Sequence, residues 1–272
     1  MTGRCWRLLR HGAACGAENM AIDEAIGRAV AEGLAPTTLR LYAWEPPCVS
    51  LGRNQAAGAV DRARCAARGY DVVRRPTGGR AILHTDELTY SVAARADDPL
   101  MAGMILDAYL RLSLGLVAGL QRLGIGAEPA PAASRPGPAG SAACFEVPSA
   151  HEIIVGGRKL LGSAQYRRAG HVLQHGSLPL SGDLTRLVDC LVLPTEAERE
   201  SLRGSLARHA TTVEQVTGRV LGFDEAADAL AEGFASALGL SLEDDDLTEC
   251  ERRWAEELAR EKYGSEAWTL RS

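Results

Sequence analysis

The stretch CFEVPSAHEIIVGGRKLLGSAQ, residues 144–165, brings a thiol and an amine within fifteen residues of each other. Cys144 can attack an acyl thioester and hold the acyl group covalently. Its thiolate forms more readily beside a cation. Of the 30 basic residues, only Lys159 and Lys262 are lysine. Lysine is a slim point donor that can lose its proton when desolvated, whereas arginine effectively cannot. A position that needed charge alone would, by this composition, carry arginine, so position 159 points to a titratable amine. A second stretch, RRPTGGRAILH (74–84), runs from strand to strand through Gly78 and Gly79. Two glycines allow close backbone approach, and amides beside Arg74, Arg75 and Arg80 suit a carbonyl, a carboxylate or a phosphate. A β-turn with solvated arginines is the plain alternative. No Gly-Lys-Ser/Thr follows, which excludes a Walker loop, and the strand-like continuation excludes a dinucleotide fingerprint. Four histidines, His84, His151, His171 and His175, fall on predicted strands or turns. His84 closes the glycine motif and His175 lies in QHGS, so these two rank first for acid–base work. No pair has helical metal-ligand spacing, and no metal is expected.

Such residues need elements to hold them. The recurrence of Met20-Ala21, Ala25-Ile26 and Ala29-Val30 predicts a helix over 17–32. CWRLLRHG near the N-terminus, LRLYAW (39–44) and CVSLG (48–52) read as strands. Asp61 caps a short helix that Gly69 ends. YDVVRR (70–75), AILH (81–84) and LTYSVAA (88–94) are further strands. Pro99 opens a long helix to about Leu123, with Leu106, Leu110, Leu114 and Val117 on its apolar face. The segment 126–143 is too rich in Pro, Ala and Gly for regular structure, and it delivers the chain to Cys144. HEIIV and RKLLGSAQYR flank Gly156-Gly157 as a hairpin, and a turn at 168–170 leads into HVLQHGSLPL. From Asp183 onward the chain reads as mainly helical, with capping boxes at Thr212/Gln215 and Thr248/Glu251 and helix-ending glycines at 239 and 264. Strands and helices come in blocks, which predicts an α+β architecture with a mostly antiparallel sheet flanked by helices. One catalytic domain over 1–272, with a helical portion at about 182–272, accommodates them.

The bulk numbers exclude several classes. With 46% hydrophobic and 24% charged residues the chain is of globular type. No run approaches the ~18 apolar residues of a membrane helix. A net charge of −5 leaves no nucleic-acid footprint. Seven cysteines, an odd count without a CxxC pair, argue against a disulfide framework and a zinc cluster and favour a reducing cytoplasm. Basic pairs at Arg74-Arg75, Arg158-Lys159 and Arg167-Arg168 suit an acidic partner.

Taken in order, NMAIDEAI (19–26), CVSLGRNQ (48–55), RRPTGGRAILH, ELTYSV (87–92), the 144–165 stretch, QHGSLPL (174–180) and EKYGSEAW (261–268) resemble the lipoate–protein ligase A, octanoyltransferase and biotin ligase superfamily over nearly the whole chain. The likeness is strongest to its cysteine-dependent octanoyltransferases, the type that loads the glycine cleavage H protein. The resemblance implies a biotin/lipoate-ligase-like catalytic domain. It implies an octanoyl group taken from acyl-carrier protein, held as a thioester on Cys144, and passed to a lysine of a lipoyl domain of the H protein or a dehydrogenase E2, with no cofactor. Lys159 matches the lysine of the family's Gly-Arg-Lys motif. Arg75, Thr77, Gly78, Gly79, Arg80 and His84, with Gly162, Ser163 and Ala164 of GSAQ, are the implied substrate-binding residues. The ligase branch commonly carries a third glycine, and a histidine followed by aspartate, in the glycine motif; here those positions are Arg80 and Thr85. Little chain follows EKYGSEAW to build the extra C-terminal domain of two-domain ligases. Two alternatives stay open: a lipoate or biotin ligase using ATP and magnesium, and a non-catalytic binder of lipoyl domains or acyl groups.

Overall fold

The structure, a computed structural model, describes residues 4–131, 152–168 and 170–271. Its strands are β1 (Arg4–Ala14), β2 (Thr38–Trp44), β3 (Cys48–Leu51), β4 (Asp71–Arg74), β5 (Ile82–His84), β6 (Glu87–Arg95), β7 (Glu128–Pro129), β8 (Ile153–Val155), β9 (Arg158–Arg168), β10 (His171–Pro179) and β11 (Leu240–Asp244). Its α-helices are α1 (Gly16–Ala31), α2 (Arg62–Ala67), α3 (Ile105–Arg122), α4 (Glu196–His209), α5 (Val213–Thr217), α6 (Phe223–Leu238), α7 (Glu249–Leu258) and α8 (Glu266–Thr269). The larger sheet runs β11-β1-β2-β6-β10-β9-β8-β7, and a smaller one runs β4-β3-β5. In the larger sheet the pairings of β1 with β11 and β2 are parallel and the others antiparallel. This is the expected α+β architecture.

Alternation along β6 decides what each face of the larger sheet does. Leu88, Tyr90 and Val92 enter the main core with Leu39, Leu41, Leu112, Leu116 and Phe234, under α3 and α6. Glu87, Thr89 and Ser91 point to the other face. Register puts Ser91 beside Arg40 and His175, and Thr89 beside Tyr42 and Ser177. That polar face is the floor of the site. Helix α1 and the smaller sheet roof it.

Three differences from the sequence reading have local causes. Helix α3 starts at Ile105 instead of Pro99. Gly103 sits at φ 87°, which no helix accommodates, and Asp107 completes a capping box with Met104. The segment expected to be irregular contributes the short strand β7, paired with β8. The mainly helical C-terminal part contains β11, which adds in parallel to β1.

Candidate active site

A cavity of about 280 Å³ lies between the polar floor and its roof. Met20 comes from α1, Trp44 from β2, Ser50 from β3, and Ala164 and Gln165 from β9. Of the residues expected to bind substrate, Arg75, Gly78, Gly79, His84, Gly162, Ser163 and Ala164 line it. Thr77 and Arg80 do not line it. Thr77 is buried with its Oγ1 2.6 Å from His175 Nε2, and the Arg80 carbonyl accepts from Arg75 Nη2 at 2.8 Å. The glycine turn lies directly on the residues that follow β3: Arg53 N donates to the Thr77 carbonyl at 2.8 Å. A Cβ on Gly52 would lie 1.9 Å from the Gly79 carbonyl oxygen, so backbone meets backbone there and only glycine fits.

Arg74 and Arg75 of this motif are scaffolding, which corrects for these two the expectation of solvated or partner-facing side chains. Arg74 is fully buried and donates to the carbonyls of Gly52, Arg53, Gln55, Thr269 and Arg271. One side chain thus ties the glycine turn's neighbour to the C-terminal segment. Arg75 donates to the carbonyls of Ser50, Gly78 and Arg80 and to Ser50 Oγ. Arginine's fixed fork of donors suits such multiple carbonyl capture.

Behind the cavity stands a network that the sequence reading did not single out. Asp23 of α1 accepts from Arg40 Nη1 at 2.8 Å, Tyr42 Oη at 2.9 Å and Ser91 Oγ at 2.8 Å, and lies 3.5 Å from His175 Nδ1. Burial pushes the Asp23 carboxyl up, but the His175 and Arg40 contacts outweigh it and hold it below the usual carboxylate range. Burial holds His175 below the usual imidazole value, partly offset by Asp23. The ring links Asp23 to Thr77 and so to the glycine turn. On the other side, His84 lies 2.8 Å from both Ser50 Oγ and Glu87 Oε1, and stacks on Trp44 with ring centroids 4.0 Å apart. The spacing of Asn19 and Asp23, and the polar alternation Glu87, Thr89, Ser91, were the available signals for these residues.

Lys159 is wholly buried on β9. Its Nζ donates to Glu152 Oε1 at 2.5 Å, and Glu152 lines the cavity. Its own backbone carbonyl accepts from Thr211 N at 2.9 Å, which docks the start of α5 against β9. Cys144 and His151 lie outside the described residues. His171 is on β10 and does not line the cavity. Among the described residues no group of three His, Cys, Asp or Glu side chains could hold a metal ion, and no helix is long and apolar enough to cross a membrane.

The lipoyl protein ligase A/B catalytic domain model matches residues 15–235. This chain belongs to that family. It is 45% identical to octanoyltransferase LipM of Kyrpidia tusciae over 275 residues, covering 98% of each chain. Its identity to octanoyltransferase LipM of Symbiobacterium thermophilum is 46% over 273 residues, again 98% of each. With such full-length relatives, the chain is an enzyme of the acyltransferase class. Among solved structures it resembles the bipartite lipoate protein ligase of Thermoplasma acidophilum, with a TM-score of 0.79 and 28% identity, covering 99% of this chain and 96% of that one. It also resembles lipoate-protein ligase A bound with ATP, with a TM-score of 0.77 and 29% identity over 99% of both chains.

Proposed function

We propose that this enzyme takes an octanoyl group from an acyl-carrier-protein thioester, holds it on Cys144, and passes it to a lysine amine of a lipoyl domain, for lipoate assembly in the cytoplasm. The observation that carries the reading is full-length identity of 45% and 46% to two octanoyltransferases. The cavity supports it, since an eight-carbon chain gains about 0.8 kcal/mol per buried methylene against walls such as Met20, Trp44, Ile82 and Ala164. The buried Lys159–Glu152 pair supports it as well. An amine kept out of water beside the cavity is the group whose proton a thiol reaction can use. Free thiols at all six described cysteines fit a reducing compartment.

In the proposed cycle the Cys144 thiolate attacks the carrier thioester. Its sulfur bonds to the acyl carbon, and the carrier thiolate leaves. Lys159 stabilises the charge on the reacting atoms, together with backbone amides of the glycine turn. The acceptor amine then attacks the acyl-enzyme, and the Cys144 thiolate leaves. The donor arrives already activated, so neither ATP nor magnesium is required. The ATP-bound ligase among the structural neighbours favours one competing reading, in which free octanoate is activated by ATP. The test runs both donors against a lipoyl domain. Octanoyl-carrier alone should give octanoylated domain; product only with octanoate and ATP would establish the ligase, and binding without product would establish a non-catalytic binder. Lys159→Arg should lose about 10²-fold in transfer, because the larger planar guanidinium keeps the charge but cannot place it where the slim ammonium sits, buried against Glu152.

A further inference from the structure

The cavity is also lined by polar groups to which the proposed Cys144 and Lys159 chemistry gives no role. Ser50 Oγ lies 2.8 Å from His84 Nε2, and His84 Nδ1 lies 2.8 Å from Glu87 Oε1. All three are buried, and Ser50 and His84 line the cavity. The directions of their protons follow from a neighbour. Arg75 Nη1 donates to Ser50 Oγ at 3.0 Å, and a guanidinium can only donate. Ser50 accepts there and keeps its single proton for His84 Nε2, the acceptor in a neutral ring whose Nδ1 proton faces the Glu87 carboxylate. His84 then carries its own proton on Nδ1 and donates it to Glu87. Two more donors converge on that carboxylate, Thr89 Oγ1 on Oε1 and Ser177 Oγ on Oε2 at 2.5 Å. Trp44 fixes the ring plane by stacking and is itself held by Nε1 donating to Thr89 Oγ1 at 2.8 Å. A buried polar network satisfied this fully holds each member in one orientation.

We infer that Ser50, His84 and Glu87 form the proton relay that receives the acceptor lysine's proton during amide formation. The inference rests on the acyl-enzyme reading above and adds the group that reading lacks. The amine nitrogen bonds to the acyl carbon, the carbon–sulfur bond breaks, and sulfur leaves as thiolate. The proton lost from nitrogen goes to Ser50 Oγ as the Ser50 proton moves to His84 Nε2. The imidazolium so formed faces Glu87, and its proton returns through Ser50 to the departing sulfur, which leaves Cys144 as the thiol and resets the relay; the thiol proton passes to the carrier sulfur when the next thioester is opened. Ser50 is the group that meets the amine; His84 and Glu87 act through it as positioning residues. The other histidine of the site is oriented differently. His175 Nε2 is directed at Thr77, which does not line the cavity, and its carboxylate partner is 3.5 Å away. Lys159 is engaged with Glu152 and serves the sulfur side.

The test uses acyl-enzyme loaded from octanoyl-carrier, with wild type, Ser50→Ala and His84→Gln compared in single turnover. Each loaded protein is given either a lipoyl domain or hydroxylamine. Hydroxylamine sheds the same nitrogen proton, but its weakly basic nitrogen forms an adduct acidic enough to give that proton to water, so its attack depends little on the relay. The relay predicts that transfer to the lipoyl lysine falls about 10²-fold in both variants, while hydroxylamine release changes by no more than about threefold. Equal lysine transfer in all three proteins overturns the relay. So does a parallel fall with both nucleophiles, which would mark Ser50 and His84 as packing for the pocket. Ser50→Ala removes only an oxygen and keeps the test valid if His84→Gln does not fold. Failure of wild type to load would instead sink the acyl-enzyme reading, and the relay with it.

Discussion

Asp23→Asn is the sharpest probe of the framework behind the site. Asp23 and Arg40 are 0% and 1% exposed. Asp23 Oδ1 accepts from Arg40 Nη1 at 2.8 Å, while the other hydrogen-bond partners of that guanidinium among the described residues are neutral: His11 Nδ1, the Asn19 carbonyl and Asn19 Oδ1. Arg40 also lies 3.8 Å above the Tyr42 ring centroid. Removing one charge of a buried pair strands the other, at a cost of about 3–5 kcal/mol. For a chain of this size that lowers Tm by roughly 10 °C. Urea unfolding should show a lower midpoint at unchanged slope. The double variant Asp23→Asn/Arg40→Met should recover at least about 2 kcal/mol relative to additivity, since contacting residues couple. Because Asp23 also orients His175, and through it Thr77, the single variant should lose transfer activity even where it remains folded. A single-variant cost below about 1 kcal/mol, or simple additivity in the double, would refute the ion-pair argument.

Gly52→Ala should fold but transfer about 10²-fold more slowly. Its Cβ would meet the Gly79 carbonyl at 1.9 Å and displace the glycine turn; near-normal rates would mean the turn's position does not matter. Ala164→Leu adds three carbons to the cavity wall, at a cost of about 2.4 kcal/mol in octanoyl binding. It should lower kcat/KM about 50-fold for octanoyl while sparing a pentanoyl donor, and an equal loss on both chains would separate this wall from chain-length selection. His11 is lowered to about 4 by burial and by Arg40, whose Nε donates to its Nδ1 at 2.9 Å. The folded value lies below the unfolded 6.5, so the unfolded chain binds the proton first. Stability is full above about pH 6.5 and is lost as pH falls toward about 4. The full gap is worth about 3 kcal/mol, reduced to ~1–2 by partial solvent access. Urea unfolding at pH 7.5 and 5 should reveal it, and His11→Gln should lose less; identical profiles would contradict the assignment.

The local elements were legible because their signals are local. Apolar spacing marked α1, Gly156-Gly157 marked the β8–β9 hairpin, and the paired glycines at 78–79 marked the turn that lines the cavity. What escaped depends on contacts between distant residues. Arg74 looked like a solvated charge because its acceptors at Thr269 and Arg271 lie nearly two hundred residues away. Strand β11 reads as part of a helical region because only pairing with β1 makes it a strand. Glu87 gained its role from His84, Thr89 and Ser177, three neighbours that alternation hinted at and only sheet register assembles. Lys159 was found by its rarity, yet its buried partner Glu152 was not, since one glutamate among many carries no such mark.

The central claim concerns the sulfur at Cys144, and mass spectrometry of the intact enzyme tests it most directly. After incubation with octanoyl-carrier protein and no acceptor, the account predicts one octanoyl adduct, located on Cys144, removed by hydroxylamine and absent from Cys144→Ala. An unmodified wild-type enzyme, together with full transfer by Cys144→Ala, would contradict it.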